Sequence, residues 1–111
     1  MNTIEHLLMC LAEEGCEIAQ DCSKINRFGI DDVYTHIDAE TGEHTRHPEK
    51  GTNRERLIDE LNDIAGVVRL LVEYGAIPPD WGDADKQLAK MEKVKRYMKY
   101  AHAVGTLEGT A

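Results

Sequence analysis

The segment LAEEGCEIAQ carries Glu13, Glu14 and Glu17 inside what otherwise reads as the apolar beginning of a helix, and LIDELNDIAG carries Glu60 and Asp63 in the same manner. At about 100° per residue, Glu14 and Glu17 lie roughly 60° apart and one turn along, with Asp21 between them in angle and a further turn on. This acidic edge borders the apolar stripe of its helix instead of opposing it, since Glu14 falls within about 20–40° of Leu7, Ile18 and Ile25. Glu60 and Asp63, again three positions apart, border a stripe made by Leu57, Ile64 and Leu71. If the two helices pack antiparallel, Glu14, Glu17, Glu60 and Asp63 converge. Like charges a few ångströms apart either raise one another's pKa or require a cation. An all-oxygen set without His or Cys suits Mg²⁺, with Mn²⁺ as a substitute, and the pairs lack the Glu-x-x-His repeat of a di-iron carboxylate bundle. The competing reading is two solvated faces, because so acidic a chain generates such pairs easily.

Three helices must position these groups. Ile4, Leu7, Leu8, Leu11, Ile18, Cys22 and Ile25 draw one broad stripe and predict a helix from about Thr3 to Lys24, ending near Asn26–Gly29. Leu57, Leu61, Ile64, Val68, Leu71 and Val72 draw a second, with Thr52 or Asn53 as N-cap and Gly75 and Pro78 as stop signals. A third runs from Ala84 to about Ala101 with Asp83 as its cap and Leu88, Met91, Val94 and Met98 turned inward. Between the first two, β-formers flank a Thr41-Gly42 turn, so residues 33–50 read as an inserted hairpin, and the ending GTLEGTA reads as a frayed tail. The expected fold is all-α: a bundle of three main helices with a short β-hairpin inserted, forming one domain over 1–111. Helices of this length leave apolar stripes that one subunit can hardly cover, so a homodimer or a dimer of dimers is expected to complete the core.

Charge narrows the classes further. With 21 acidic residues against 13 Lys and Arg, a net charge of −8 argues against a nucleic-acid backbone as the main partner. No apolar run approaches the ~20 residues of a membrane span, and the N-terminus lacks the features of a secretory signal, so a cytoplasmic protein is expected. Cys10, Cys16 and Cys22 share no helix face and match no zinc spacing, which points to reduced thiols. His36, His44 and His47 form an incomplete zinc set.

The pairing of EEGCE with ELND resembles the Glu-x-x-Glu and Glu-x-x-Asp signature of the MazG-like, all-α nucleoside triphosphate pyrophosphohydrolases. SKINRFG, NRERLIDELNDIAGVVRLL and KVKRYMKYAHAVGTLE look like small phage-encoded members of that group, which would place the protein in a host cytoplasm. The resemblance covers most of the chain, excluding chiefly Tyr34–Gly51. It implies hydrolysis of an NTP or dNTP to the monophosphate and pyrophosphate, with Glu14, Glu17, Glu60 and Asp63 as Mg²⁺ ligands and assembly into oligomers. One departure is the 42 residues (18 through 59) between Glu17 and Glu60, longer than the compact family pattern.

A triphosphate also calls for cations. The third helix supplies Lys86, Lys90, Lys93, Lys95, Arg96 and Lys99 against only Asp85 and Glu92. Lys93 and Arg96, in a segment that carries the resemblance, are the preferred phosphate contacts, along with Lys24 and Arg27 beside the acidic helix. Lysines snorkelling on a solvated helix are the plainer reading. Asn53 reads a base or caps a helix. Trp81, Tyr97 and Tyr100 offer rings for a nucleobase or partial core, and Glu13 is a weaker candidate for taking a proton from water. Two alternatives stand beside this reading: a noncatalytic oligomeric helical interaction or regulatory module, and a phosphohydrolase acting on another pyrophosphate-linked nucleotide.

Overall fold

The first helix, α1 (Thr3–Phe28), is set by a capping box: the Asn2 Oδ1 accepts the Glu5 N–H at 2.8 Å, and the Glu5 carboxylate accepts the Asn2 N–H at 3.2 Å. In the computed structural model, which describes residues 1–109, α1 runs one turn beyond Lys24 before Gly29 stops it at φ 107°, a value that glycine adopts readily. Strands β1 (Val33–Ile37) and β2 (His44–Thr52) then pair antiparallel, and helices α2 (Asn53–Glu73) and α3 (Ala84–Ala103) follow. The chain is thus three helices and one two-stranded hairpin. Among the described residues, no helix is long and apolar enough to cross a membrane.

The hairpin turn is organised by Asp38 as well as by the expected Gly42. Its Oδ1 accepts the N–H groups of Glu40 and Thr41 at 2.9 and 2.8 Å, and these bonds hold its carboxyl below the usual range. Near the base, the register jumps from Tyr34 opposite His47 to Val33 opposite Thr52. Pro48, which has no N–H for the ladder, and Gly51 at φ 83° fall in the extra length of β2 between those partners.

The chain divides into two compact units, Met1–Ile77 and Pro78–Ala111. In the first, α1 packs on α2. Asn53 lies beside Gly29, and Glu60 lies beside Glu17 and Glu14, so the helices run antiparallel as expected. Thr52 is the N-cap of α2, its hydroxyl accepting the Glu55 N–H at 3.2 Å. Asn53 has a different task. It is buried at 7 % exposure and its Nδ2 donates to the Gly29 carbonyl at 2.9 Å, while the backbone N–H groups of Asn53 and Arg54 donate to Asp32 and Ile30. These bonds clasp the end of α1 to the start of α2. At the opposite end Leu7 and Leu71 are buried, whereas Ile4, Leu8 and Leu70 stay exposed, as do Ile58 and Leu61 nearer the clasp.

In the second unit, Asp83 caps α3 as expected, its carboxylate accepting the Lys86 N–H at 3.0 Å. The inward stripe is a correction: Leu88, Met91, Val94 and Met98 are 42–54 % exposed, and no residue of α3 is buried. Helical periodicity shows that a face favours cover but does not say that the same chain supplies it. The ending is also more ordered than its composition suggests. The N–H groups of Thr106 and Leu107 both donate to the Ala101 carbonyl, at 2.9 and 3.1 Å, closing a turn after α3; Thr110 and Ala111 of the expected tail lie outside the described residues.

Candidate functional site

The clasp at Gly29 and Asn53 sets the relative height of the two helices and so decides which carboxylates meet. Carboxylate oxygens of Glu14, Glu17 and Glu60 lie within 4.8 Å of one another. Glu14 and Glu60 are half-buried and Glu17 is exposed. Glu14 Oε2, Glu60 Oε2 and Asp21 Oδ2 are shut off from solvent and have no hydrogen-bond partner. Ionised carboxylates only accept, so the group has lone pairs in excess and no donor.

A proton on Glu60 supplies the missing donor. That one proton can be shared with the Glu17 carboxylate, or else with that of Glu14, which favours the neutral form; burial of the carboxyl and the two neighbouring charges add to the effect, and its pKa is pushed up to about 8. At neutral pH the group therefore traps a proton. A divalent cation relieves the same repulsion. Oxygens at about 2.1 Å from one octahedral Mg²⁺ are about 3.0 Å apart when cis and about 4.2 Å when trans, so three oxygens within 4.8 Å of one another reach that geometry with side-chain shifts of up to about 2 Å. Hard oxygen donors, buried acceptors without donors and mutual proximity all fit Mg²⁺.

Asp63, expected as a fourth member, is exposed and stands outside the group. It leaves α2 one turn beyond Glu60 and about 60° around the axis, and that offset carries it off the edge facing Glu17. Glu13 is exposed. Asp21 lies on the acidic edge as its angle predicts and lines a pocket with Glu17, Gln20, Arg56, Asp59 and Glu60.

The expected phosphate contacts divide. Lys24 lines a second cavity, a cleft between the end of α1, the hairpin and the start of α2. Arg27 instead lies over the Phe28 ring, its guanidinium carbon 5.1 Å from the centroid. Asn53 borders the cleft but commits its amide to Gly29, so it is first a structural tie. Lys93 and Arg96 are exposed on α3, in the second unit. The three histidines form no metal-binding group among the described residues; His47 pairs with Glu49 at 2.8 Å, and His44 lines the cleft. All three cysteines are free.

Sequence reasoning missed Arg56, Arg46 and Tyr34. Arg56 was within reach, because it precedes Glu60 by four positions and must share its helix face. Its guanidinium carbon lies 5.5 Å from the Tyr34 centroid, and Lys50 Nζ lies 4.5 Å from the same ring. Arg46 pairs with Asp32 at 3.4 Å. No family model matches the chain, and no curated protein or solved structure matches it.

Proposed function

We propose that this chain is a metal-dependent nucleoside triphosphate pyrophosphohydrolase of MazG-like type, converting an NTP or dNTP to the monophosphate and pyrophosphate. The observation that carries the reading is the meeting of Glu14, Glu17 and Glu60, with Glu14 Oε2 and Glu60 Oε2 buried and given no hydrogen-bond partner by any other group of the chain. Glu14, Glu17 and Glu60 would hold Mg²⁺, with Asp63 one turn away as an outer ligand. When bound, the ion offsets phosphate charge and acidifies water. Loading would require Glu60 to release its proton to solvent. Asp21, whose Oδ2 is buried without a donor, offers an acceptor for a proton from the attacking water. Arg56 lines the pocket of Glu17 and Glu60 and Lys24 lines the adjoining cleft; both would receive phosphate, and Lys93 and Arg96 are further phosphate contacts suggested by the resemblance.

Assembly into a homodimer or a dimer of dimers belongs to the same reading. Its support is the scarcity of buried apolar side chains: among the described residues only Leu7 and Leu71 qualify. That scarcity equally favours the second reading, a noncatalytic oligomeric helical module whose acidic edge is surface. One experiment separates them. Purified protein with Mg²⁺ is offered a panel of NTPs and dNTPs, scored for monophosphate and pyrophosphate. Hydrolysis is expected for at least one nucleotide and is expected to vanish in Glu17→Gln with helix content preserved. No turnover across the panel, or full turnover in Glu17→Gln, overturns the enzymatic reading.

A further inference from the structure

The cleft beneath the hairpin has a volume of ≈ 340 Å³, near the lower end for small-molecule sites, which suits one nucleoside better than a larger cofactor. Its lining reverses the charge of the chain. Lys24, Arg46 and Arg56 stand there against Asp32 alone, and Asp32 is already paired with Arg46, in a protein of net charge −8. Such a local positive field draws anions. Two rings, Phe28 and Tyr34, share the wall and are both exposed. A small inorganic anion has no use for rings, and an apolar ligand has none for three cations. Rings interleaved with guanidinium groups recognise an anion that carries a flat π-face.

Arg56 gives the cleft its direction. It lines the cleft and also the pocket that contains Glu17, Asp21 and Glu60, so the two cavities adjoin across one side chain. We propose that the cleft holds the nucleoside end of a nucleotide, its base against Phe28 and Tyr34 and its phosphates leading past Arg56 toward Glu17 and Glu60. The direction of the phosphates rests on the hydrolase reading; the nucleotide site itself can be tested without it. The hairpin is then the element that receives the substrate's base.

The test is a titration of isotope-labelled protein, without divalent ion, with the monophosphates of adenosine, guanosine, cytidine and uridine. Ribose 5-phosphate and inorganic phosphate serve as anion-only probes. At least one nucleoside monophosphate is expected to move backbone amide signals of residues 28–37 and 44–56 and to bind about tenfold or more tightly than ribose 5-phosphate, the margin that base stacking supplies. Tyr34→Ala is expected to weaken it by a similar factor. Arg46→Gln, a change at a largely exposed side chain, repeats the test should Tyr34→Ala loosen the hairpin. Binding that is absent, equal for ribose 5-phosphate, or unchanged in Arg46→Gln overturns the site. The two readings fail separately. Monophosphate binding in the cleft of a parent that releases no pyrophosphate keeps the site and removes the hydrolase. A parent that hydrolyses nucleotides with the same KM after Arg46→Gln keeps the hydrolase and removes the site.

Discussion

Glu60 is where charge, burial and function meet in one side chain. Its carboxyl is held at about 8 against an ordinary 4.5, first because its proton can be shared with the Glu17 carboxylate and next with that of Glu14. Between those two values the folded chain carries a proton that the unfolded chain has lost, so metal-free stability falls as pH rises through that window and levels off above it. Divalent ion must displace the same proton, so apparent Mg²⁺ affinity rises across the window. Thermal melts in buffers spanning it, with and without Mg²⁺, are expected to show a declining metal-free Tm and a growing Mg²⁺ increment. At an ion concentration about 100 times Kd, that increment corresponds to roughly 2.7 kcal/mol. Glu60→Gln is expected to flatten the metal-free pH slope and to lose most of the Mg²⁺ response. A parent slope retained in Glu60→Gln, or an increment reproduced by monovalent salt at matched ionic strength, would remove Glu60 from the centre of the group.

At the scale of elements, the clasp between α1 and α2 is the contact on which the carboxylate alignment depends. Asn53→Ala removes the Nδ2 bond to the Gly29 carbonyl, which keeps only the Asp32 N–H as donor, and truncates a buried side chain, a loss of about 1 kcal/mol. A Tm lowered by about 4 °C or more is expected in calorimetry, and a Tm equal to the parent's would show that the backbone bonds suffice alone. Helix α3 presents the opposite case. Lys93 and Arg96 are exposed, so Lys93→Ala and Arg96→Ala are expected to shift stability by less than about 0.5 kcal/mol while raising KM for the nucleotide. Parent kinetics in both would leave those cations as plain surface. The helices, the cap Asp83 and the meeting of Glu14, Glu17 and Glu60 were legible in the sequence, because stripe angle and capping chemistry act over one or two turns; the choice of Thr52 over Asn53 as cap and the exclusion of Asp63 were not. The cleft was not. Tyr34 reaches Arg56 through a strand pairing with a register jump, and no local pattern encodes which distant side chain a bulged hairpin delivers. The stripe of α3 was legible as apolar yet silent about its cover.

For the whole molecule, buried area is the decisive quantity. A chain of 12.5 kDa whose only buried apolar side chains among the described residues are Leu7 and Leu71 has a meagre core for a stable monomer. Sedimentation equilibrium is expected to give a multiple of the chain mass, with Tm rising with protein concentration. A concentration-independent monomer would show that the exposed apolar faces are left uncovered. The clasp at Gly29 and Asn53 also bears on how such a chain can vary over generations. Because the two carboxylate-bearing helices are fastened to each other at the root of the hairpin, the stretch between residues 33 and 51 is free to lengthen or shrink without altering their alignment. Closing a loop twice as long adds only about 0.6 kcal/mol of entropy, so insertions there are nearly neutral for folding. The long interval between Glu17 and Glu60 is therefore no measure of their separation in space; it marks a place where new recognition elements can be acquired while the older chemistry is left undisturbed.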